Sequence, residues 1–139
     1  MMNTELACCI DSGEENNIHP TEKRLPGTRL AEAWLAWHGD IGRDRLCPGI
    51  ISCRRLDPHR MLLKTDLPLR EENGARCFEL RASDGKWLPA AAAILKDSIL
   101  LTCMELTDPV AARYAWFNWG EVNVFGENGR PLMPYRSDI

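Results

Sequence analysis

Apolar positions along this chain fall into two regimes. Up to about residue 42 they form one short run and one helical stripe. Beyond it they alternate in short stretches separated by turn residues. Leu6-Ala7-Cys8-Cys9-Ile10 reads as a buried strand that ends at Asp11-Ser12-Gly13. The polar loop Gly13-Glu14-Glu15-Asn16-Asn17 leads into Ile18-His19-Pro20, and a helix is predicted between Thr21 and His38. Thr21 is its candidate cap, Pro26 belongs in its first turn, and Gly39 supplies the stop. Leu30, Ala33, Trp34 and Trp37 recur at helical spacing and give one apolar face, with Arg29 and Glu32 lying elsewhere. Strand, loop and helix in this order are what an α/β domain shows at the carboxyl end of a strand, where ligands bind.

After Gly42 the period shortens. Gly49 to Arg54 and Met61 to Thr65 are strand candidates, and Leu67 to Ala75, with Pro68 and Asn73-Gly74, reads as a loop. In Arg76 to Ala82, Phe78, Leu80 and Ala82 fall on one side. Ser83-Asp84-Gly85-Lys86 is a turn before Trp87 and Leu88. The alanine run 90–93 follows that hairpin turn and is read as a packed strand rather than a helix. Ile99 to Met104, Val110 to Phe117 and Val122 to Phe125 add further strands, with Asn128-Gly129 as another tight turn before Leu132. Six or so short strands with Gly, Asn and Pro at the joints predict an all-β sandwich or barrel. The expected fold class is therefore α/β plus all-β, with residues 1–42 as one unit and 43–139 as a β-sandwich-like domain.

Composition narrows the function classes. The 139 residues are 45% hydrophobic and 27% charged, ordinary globular values. The net charge of -3 is spread without a basic stripe, which argues against nucleic acid as a partner. No apolar run approaches the ~20 residues of a membrane helix, and MMNTELACCIDSGEE has neither the basic start nor the apolar core of a signal peptide. The six cysteines form no CxxC pair, so no zinc site is expected, and no cofactor. Cys8, Cys9 and Cys103 lie in apolar runs and read as small buried hydrophobes, while a Cys47–Cys53 disulfide stays open.

Among candidate chemical groups, His19 stands out. It occupies a polar loop between a buried strand and a helix, where α/β serine hydrolases carry their general base. Asp11, Glu14 and Glu15 are near enough in sequence to orient it. His38 ends the helix and His59 follows Pro58 in a turn. No GxSxG elbow is present, and Ser12, only seven residues before His19, is a poor nucleophile for it. Tyr114, Trp116, Phe117 and Trp119 form an aromatic cluster that reads first as core and interdomain seam, and second as a sugar-stacking surface. Alternation would put Tyr114 and Trp116 on one side of a strand and Phe117 on the other. Arg113 and Arg136 are placed to pair with Asp108 or Asp138.

Two separated stretches resemble one family. Ile10-Asp11-Ser12-Gly13, then Asn17-Ile18-His19-Pro20, Lys23, Gly27, Arg29, Leu30 and Ala31 look like the last conserved block of sialate O-acetylesterases, members of the SGNH hydrolase superfamily. Asp108-Pro109-Val110-Ala111-Ala112-Arg113-Tyr114-Ala115-Trp116, with Asn123, Gly129, Pro131, Pro134, Arg136, Ser137 and Asp138, look like its C-terminal signature. Phe78-Glu79-Leu80 and Asp84 to Ala90 also match. The resemblance covers nearly the whole chain, loosely from Cys47 to Ala75. It implies an α/β/α hydrolase domain carrying a β-sandwich, and removal of acetyl groups from hydroxyls of sialic acid or other sugars. His19 matches the family's base. The serine and oxyanion-hole blocks are expected upstream of residue 1, which makes this chain the C-terminal part of such an enzyme, inactive alone and partnered by the missing hydrolase segment or by itself. Many members carry Asp two residues before that histidine, whereas this chain has Asn17. Asn17, Asp11 and Glu15 are thus the candidates for orienting the ring. The alternative reading is a non-catalytic β module that binds carbohydrate or protein.

Overall fold

The structure, a computed structural model, describes residues 4–139, so the first three residues of the expected 1–42 unit lie outside the described residues. It is a mixed α/β fold dominated by antiparallel sheets, with one α-helix. The helix α1 (Arg24–His38) starts later than Thr21 because Thr21 is captured elsewhere. Its N–H and hydroxyl both donate to Glu14 Oε1, at 2.7 and 2.9 Å. Glu22 takes over the start of the helix, its Oε1 accepting the Leu25 N–H at 2.9 Å. At the other end Gly39 adopts φ 84°, and the N–H groups of Gly39 and Asp40 donate back to the carbonyls of Ala36 and Leu35. That left-handed closure needs glycine, as the sequence predicts.

Ten strands follow. β1 (Ile50–Asp57), β2 (Arg60–Thr65), β6 (Ala91–Ile94) and β7 (Ser98–Thr102) make one antiparallel sheet in the order β1-β2-β7-β6. β4 (Phe78–Arg81), β5 (Trp87–Pro89), β8 (Ala111–Tyr114) and β10 (Tyr135–Arg136) make a second, β10-β8-β4-β5. β3 (Leu69–Glu71) pairs with β9 (Val124–Gly126). The alanine run 90–93 is largely strand β6, held by register with β7. Two short strands escaped the sequence pattern. β3 lies inside the stretch expected to be a loop, where Leu69 alone is buried, and β10 is only two residues long. Both are fixed by distant partners rather than by local alternation. Leu6 to Ile10 forms no strand. The segment instead carries no regular secondary structure, with Cys8 buried and Ile10 packed against the core.

One core joins the two larger sheets. Leu63, Ile99 and Leu101 from the first meet Phe78, Leu80, Ala112 and Tyr114 from the second, and Leu132 closes it. Each fully buried aliphatic side chain contributes about 1.5–3 kcal/mol. Phe78 and Tyr114 pack with ring centroids 4.5 Å apart. Asn123, buried, acts as a strut: its Nδ2 donates to the carbonyls of Glu72 and Gly74, and its Oδ1 accepts the Arg76 N–H.

Against this core, α1 sits the wrong way round for an ordinary amphipathic helix. Its inward residues are Arg29 (4% exposed), Glu32 and Ala33, while Leu30, Trp34 and Trp37 point to solvent at 63, 56 and 57% exposure. Arg29 pairs with both carboxylate oxygens of Asp11 and donates to the Cys8 carbonyl at 2.7 Å. Glu32 accepts from Arg130 at 2.5 Å. Asn128 Nδ2 donates to the carbonyls of Asp44 and Leu46, and Arg43 pairs with Glu5. The helix is therefore held to the β region largely by polar clasps, while in the arm Cys8 is buried and Ile10 packs against the core.

All six cysteines are free thiols, so Cys47 and Cys53 are not bridged. Cys47 is instead the thiol neighbour of Cys8. Its hydrogen bond and, less strongly, the nearby Arg29 charge pull the Cys8 thiol down, while that same contact and then burial push Cys47 up. Cys8 and Cys103 are buried as expected, whereas Cys9 is half-buried.

Candidate functional site

The loop that carries His19 is tied into a compact knot by one carboxylate. Glu14 accepts from Thr21 through Oε1 and from Asn17 Nδ2 through Oε2 at 2.8 Å. These donors, the Thr21 N–H first, hold its carboxyl below the usual range. Asn17 completes the knot: its Oδ1 accepts the backbone N–H of His19 at 2.9 Å, an Asx turn that fixes the direction of the next residues. Gly13 at φ 111° and the Glu14–Asn17 bridge make the tight return. The outcome is an exposed His19 held on an ordered loop between the arm and α1.

The candidate orienting groups are arranged unequally. Asn17 touches His19 through the backbone and not through the ring. Asp11 has both oxygens on Arg29, which clamps the base of the loop to the helix. Ser12 donates its hydroxyl to the Cys9 carbonyl at 3.1 Å, inside a turn, and so serves the backbone rather than a histidine. His38 and His59 are also occupied: their Nδ1 atoms meet the carbonyls of Trp34 and Leu106, at 2.8 and 2.9 Å. His38 stacks on Trp34 at 3.8 Å. Among the described residues, no group of three or more His, Cys, Asp and Glu side chains could hold a metal ion, and no helix is long and apolar enough to cross a membrane.

Beside the loop lies a depression of about 420 Å³ lined by Asp11, Ser12, Gly13, Trp119, Glu121 and Phe125. A second, of about 480 Å³, adjoins it through the shared Ile10 and carries Trp116, Phe117 and Pro134. The aromatic cluster thus splits. Tyr114 is fully buried, its hydroxyl without a partner, and burial pushes its ionisation far up. Trp116, which alternation would place beside it in the core, is 42% exposed. The break is at Ala115, whose φ of 49° is left-handed, opposite Cys77 at φ 69°. The Ala115 N–H donates to the Cys77 carbonyl at 2.9 Å, which holds the turn in place. A left-handed residue ends the two-residue period, so the next aromatics leave the core.

On the outer side of the second sheet, β-register puts Glu79, Arg81, Trp87 and Arg113 on one face. Arg113 pairs with Glu79 at 2.6 and 2.9 Å, and its guanidinium carbon stands 4.4 Å over Trp87. Arg136 pairs with Asp138, as the sequence allows, whereas Asp108 takes Arg55.

No protein-family model matches this sequence, and no curated protein matches it. Among solved structures, the chain is similar to a carbohydrate acetylesterase from Xanthomonas citri, with 28% identity and a TM-score of 0.84. The likeness covers 93% of this chain and 31% of that one, so this chain spans about a third of the length of the enzyme it matches. Fold and sequence together therefore place it in structural kinship with a carbohydrate esterase, over nearly all of its own length.

Proposed function

We propose that this chain is the C-terminal part of a carbohydrate O-acetylesterase of the sialate O-acetylesterase type, with residues 1–42 a remnant of the hydrolase domain and 43–139 its β-sandwich-like domain. The observation that carries the reading is the likeness to a carbohydrate acetylesterase over 93% of this chain but only 31% of the other. His19 is the general base: a neutral imidazole takes the proton of a serine hydroxyl as the oxygen attacks the acetyl carbonyl, then returns it to the leaving sugar oxygen. The serine and the donors to the oxyanion come from a segment supplied upstream. Asn17 and Glu14 hold the His19 loop, and Asp11 pins it through Arg29. Asn17, Asp11 and Glu15 remain the local candidates for fixing the tautomer once that segment is in place.

The helix supports the same reading. Leu30, Trp34 and Trp37, at i, i+4 and i+7, form an exposed stripe of the kind a helix buries against a sheet. The missing hydrolase segment is the occupant we assign to it. Acetate release from O-acetylated sialic acid by the purified chain, beside a His19→Ala control, tests the incompleteness. No turnover in either is expected; turnover lost in the control would mean the site is complete without an upstream segment.

A further inference from the structure

Two of the six free thiols meet although they are far apart in sequence. Cys8 in the arm and Cys47 at the entry to β1 are buried, at 9 and 8% exposure, and their thiols share a hydrogen bond. The His19 loop and α1 lie between them along the chain, so the pair stands where both ends of that segment come together. Each end is anchored. The Cys8 carbonyl accepts from Arg29 Nη1 at 2.7 Å. On either side of Cys47, the Leu46 carbonyl accepts from Asn128 at 2.8 Å and the Pro48 carbonyl accepts the Met133 N–H at 2.9 Å. A cavity of about 10 Å³, room for one water-sized molecule, lies at this seam between Leu6, Arg29, Cys47 and Arg130. The Arg29 Nε–H is buried there without a partner, a donor for a small polar guest.

The thiols differ in reactivity. That of Cys8 is pulled down to about 7, first by the hydrogen bond from Cys47 and less strongly by Arg29, so much of it is thiolate near neutral pH. Burial pushes the thiols of Cys53 and Cys77 up instead. We infer that Cys8 and Cys47 are an oxidisable pair, whose disulfide locks the arm, the His19 loop and α1 to the β region. A hydroperoxide is an oxidant small enough for the seam. The Cys8 thiolate attacks one peroxide oxygen, the O–O bond breaks, and hydroxide leaves and is protonated to water. The Cys47 sulfur then attacks the sulfenic sulfur of Cys8. The S–O bond breaks, and the hydroxyl leaves with the Cys47 proton as a second water. Two electrons pass from the sulfurs to the peroxide. Thiols already in hydrogen-bond contact close by only about 1.5–2 Å to reach bonding distance. Reduced, the segment is held by the Arg29–Asp11 and Arg130–Glu32 pairs; oxidised, a covalent ring encloses it. The inference goes beyond the acetylesterase reading and does not depend on it.

The test uses the full chain, reduced with dithiothreitol, desalted and treated with hydrogen peroxide. Peptide mapping without reduction is expected to find Cys8 linked to Cys47, in Cys9→Ala as well as in the unaltered chain. Amide exchange across α1 is expected to slow about tenfold or more on oxidation, and to recover with dithiothreitol, because a cross-link of this span disfavours opening by at least that much. Cys47→Ala, shown to be folded by thermal melts, loses both the linked peptide and the slowing. If that variant does not fold, the unaltered chain with and without dithiothreitol decides alone. Cys8 and Cys47 left as free thiols overturn the inference. So does a Cys8–Cys47 link that leaves exchange across α1 unchanged, or a slowing that dithiothreitol does not reverse.

Discussion

The β region and the N-terminal arm with α1 solve the same problem in opposite ways. In the β region, apolar side chains of two sheets meet and the charged ones stand outside: Leu63, Leu80, Ile99 and Leu101 are fully buried, while Arg81 and Arg113 line the outer face. In the arm and helix the order is reversed. Arg29 and Glu32 face inward and are matched by Asp11 and Arg130, while Leu30, Trp34 and Trp37 are exposed. A region that buries its apolar surface carries its own stability. One that clasps with ion pairs leaves its apolar stripe in solvent among the described residues, and that stripe is the surface the proposed hydrolase segment would cover.

The sharpest way to break this contrast is Arg29→Ala. It leaves Asp11 and the Cys8 carbonyl without their cation, and loss of one partner of a largely buried pair costs about 3 kcal/mol. The arm and His19 loop are expected to become cleavable in limited proteolysis while the β core stays resistant. Equal resistance in both regions would show that the clasp is not what holds the arm.

A gentler probe is pH. The carboxyl of Glu14 is held below its ordinary value of 4.5 by the Thr21 N–H and by Asn17. A depressed value in the folded loop means stabilisation fully present above pH 4.5 and lost as pH falls through the lowered value. Amide exchange at Thr21 and Asn17 should therefore accelerate below that range, before the core amides of β2 and β7 respond, and Glu14→Gln should show fast exchange already at neutral pH.

The smallest effect on folding is expected at the stripe. Trp34→Glu with Trp37→Glu should change stability by less than about 0.5 kcal/mol, since both rings are more than half exposed. The same pair should reduce self-association in analytical ultracentrifugation. A large loss of stability would mean that the stripe already packs within this chain.

How much of this was legible in the sequence follows the range of the forces involved. The helix, its glycine stop, the turns at Gly85 and Gly129 and most strands are local patterns, and alternation or turn chemistry reveals them. The strands β3 and β10 and the exposure of Trp116 depend on partners far along the chain or on a single left-handed residue, which periodicity cannot register. The inversion of α1 is half legible: the apolar stripe shows in the spacing, but Glu32 meets Arg130 across 98 positions. His19 was singled out by its loop and Asn17 by the family resemblance, and their roles stand as proposals. That Glu14 ties the loop together was not found, because three hydrogen bonds to one carboxylate leave no trace in residue order.

The most direct test of the central claim is complementation. The Xanthomonas citri acetylesterase, with the part that aligns to this chain removed, is mixed with this chain, and acetate release from an O-acetylated sugar is measured. The account predicts release only from the mixture, abolished by His19→Ala and weakened by Trp34→Glu with Trp37→Glu. Release unaffected by His19→Ala, or no release although the two chains bind each other, would contradict it.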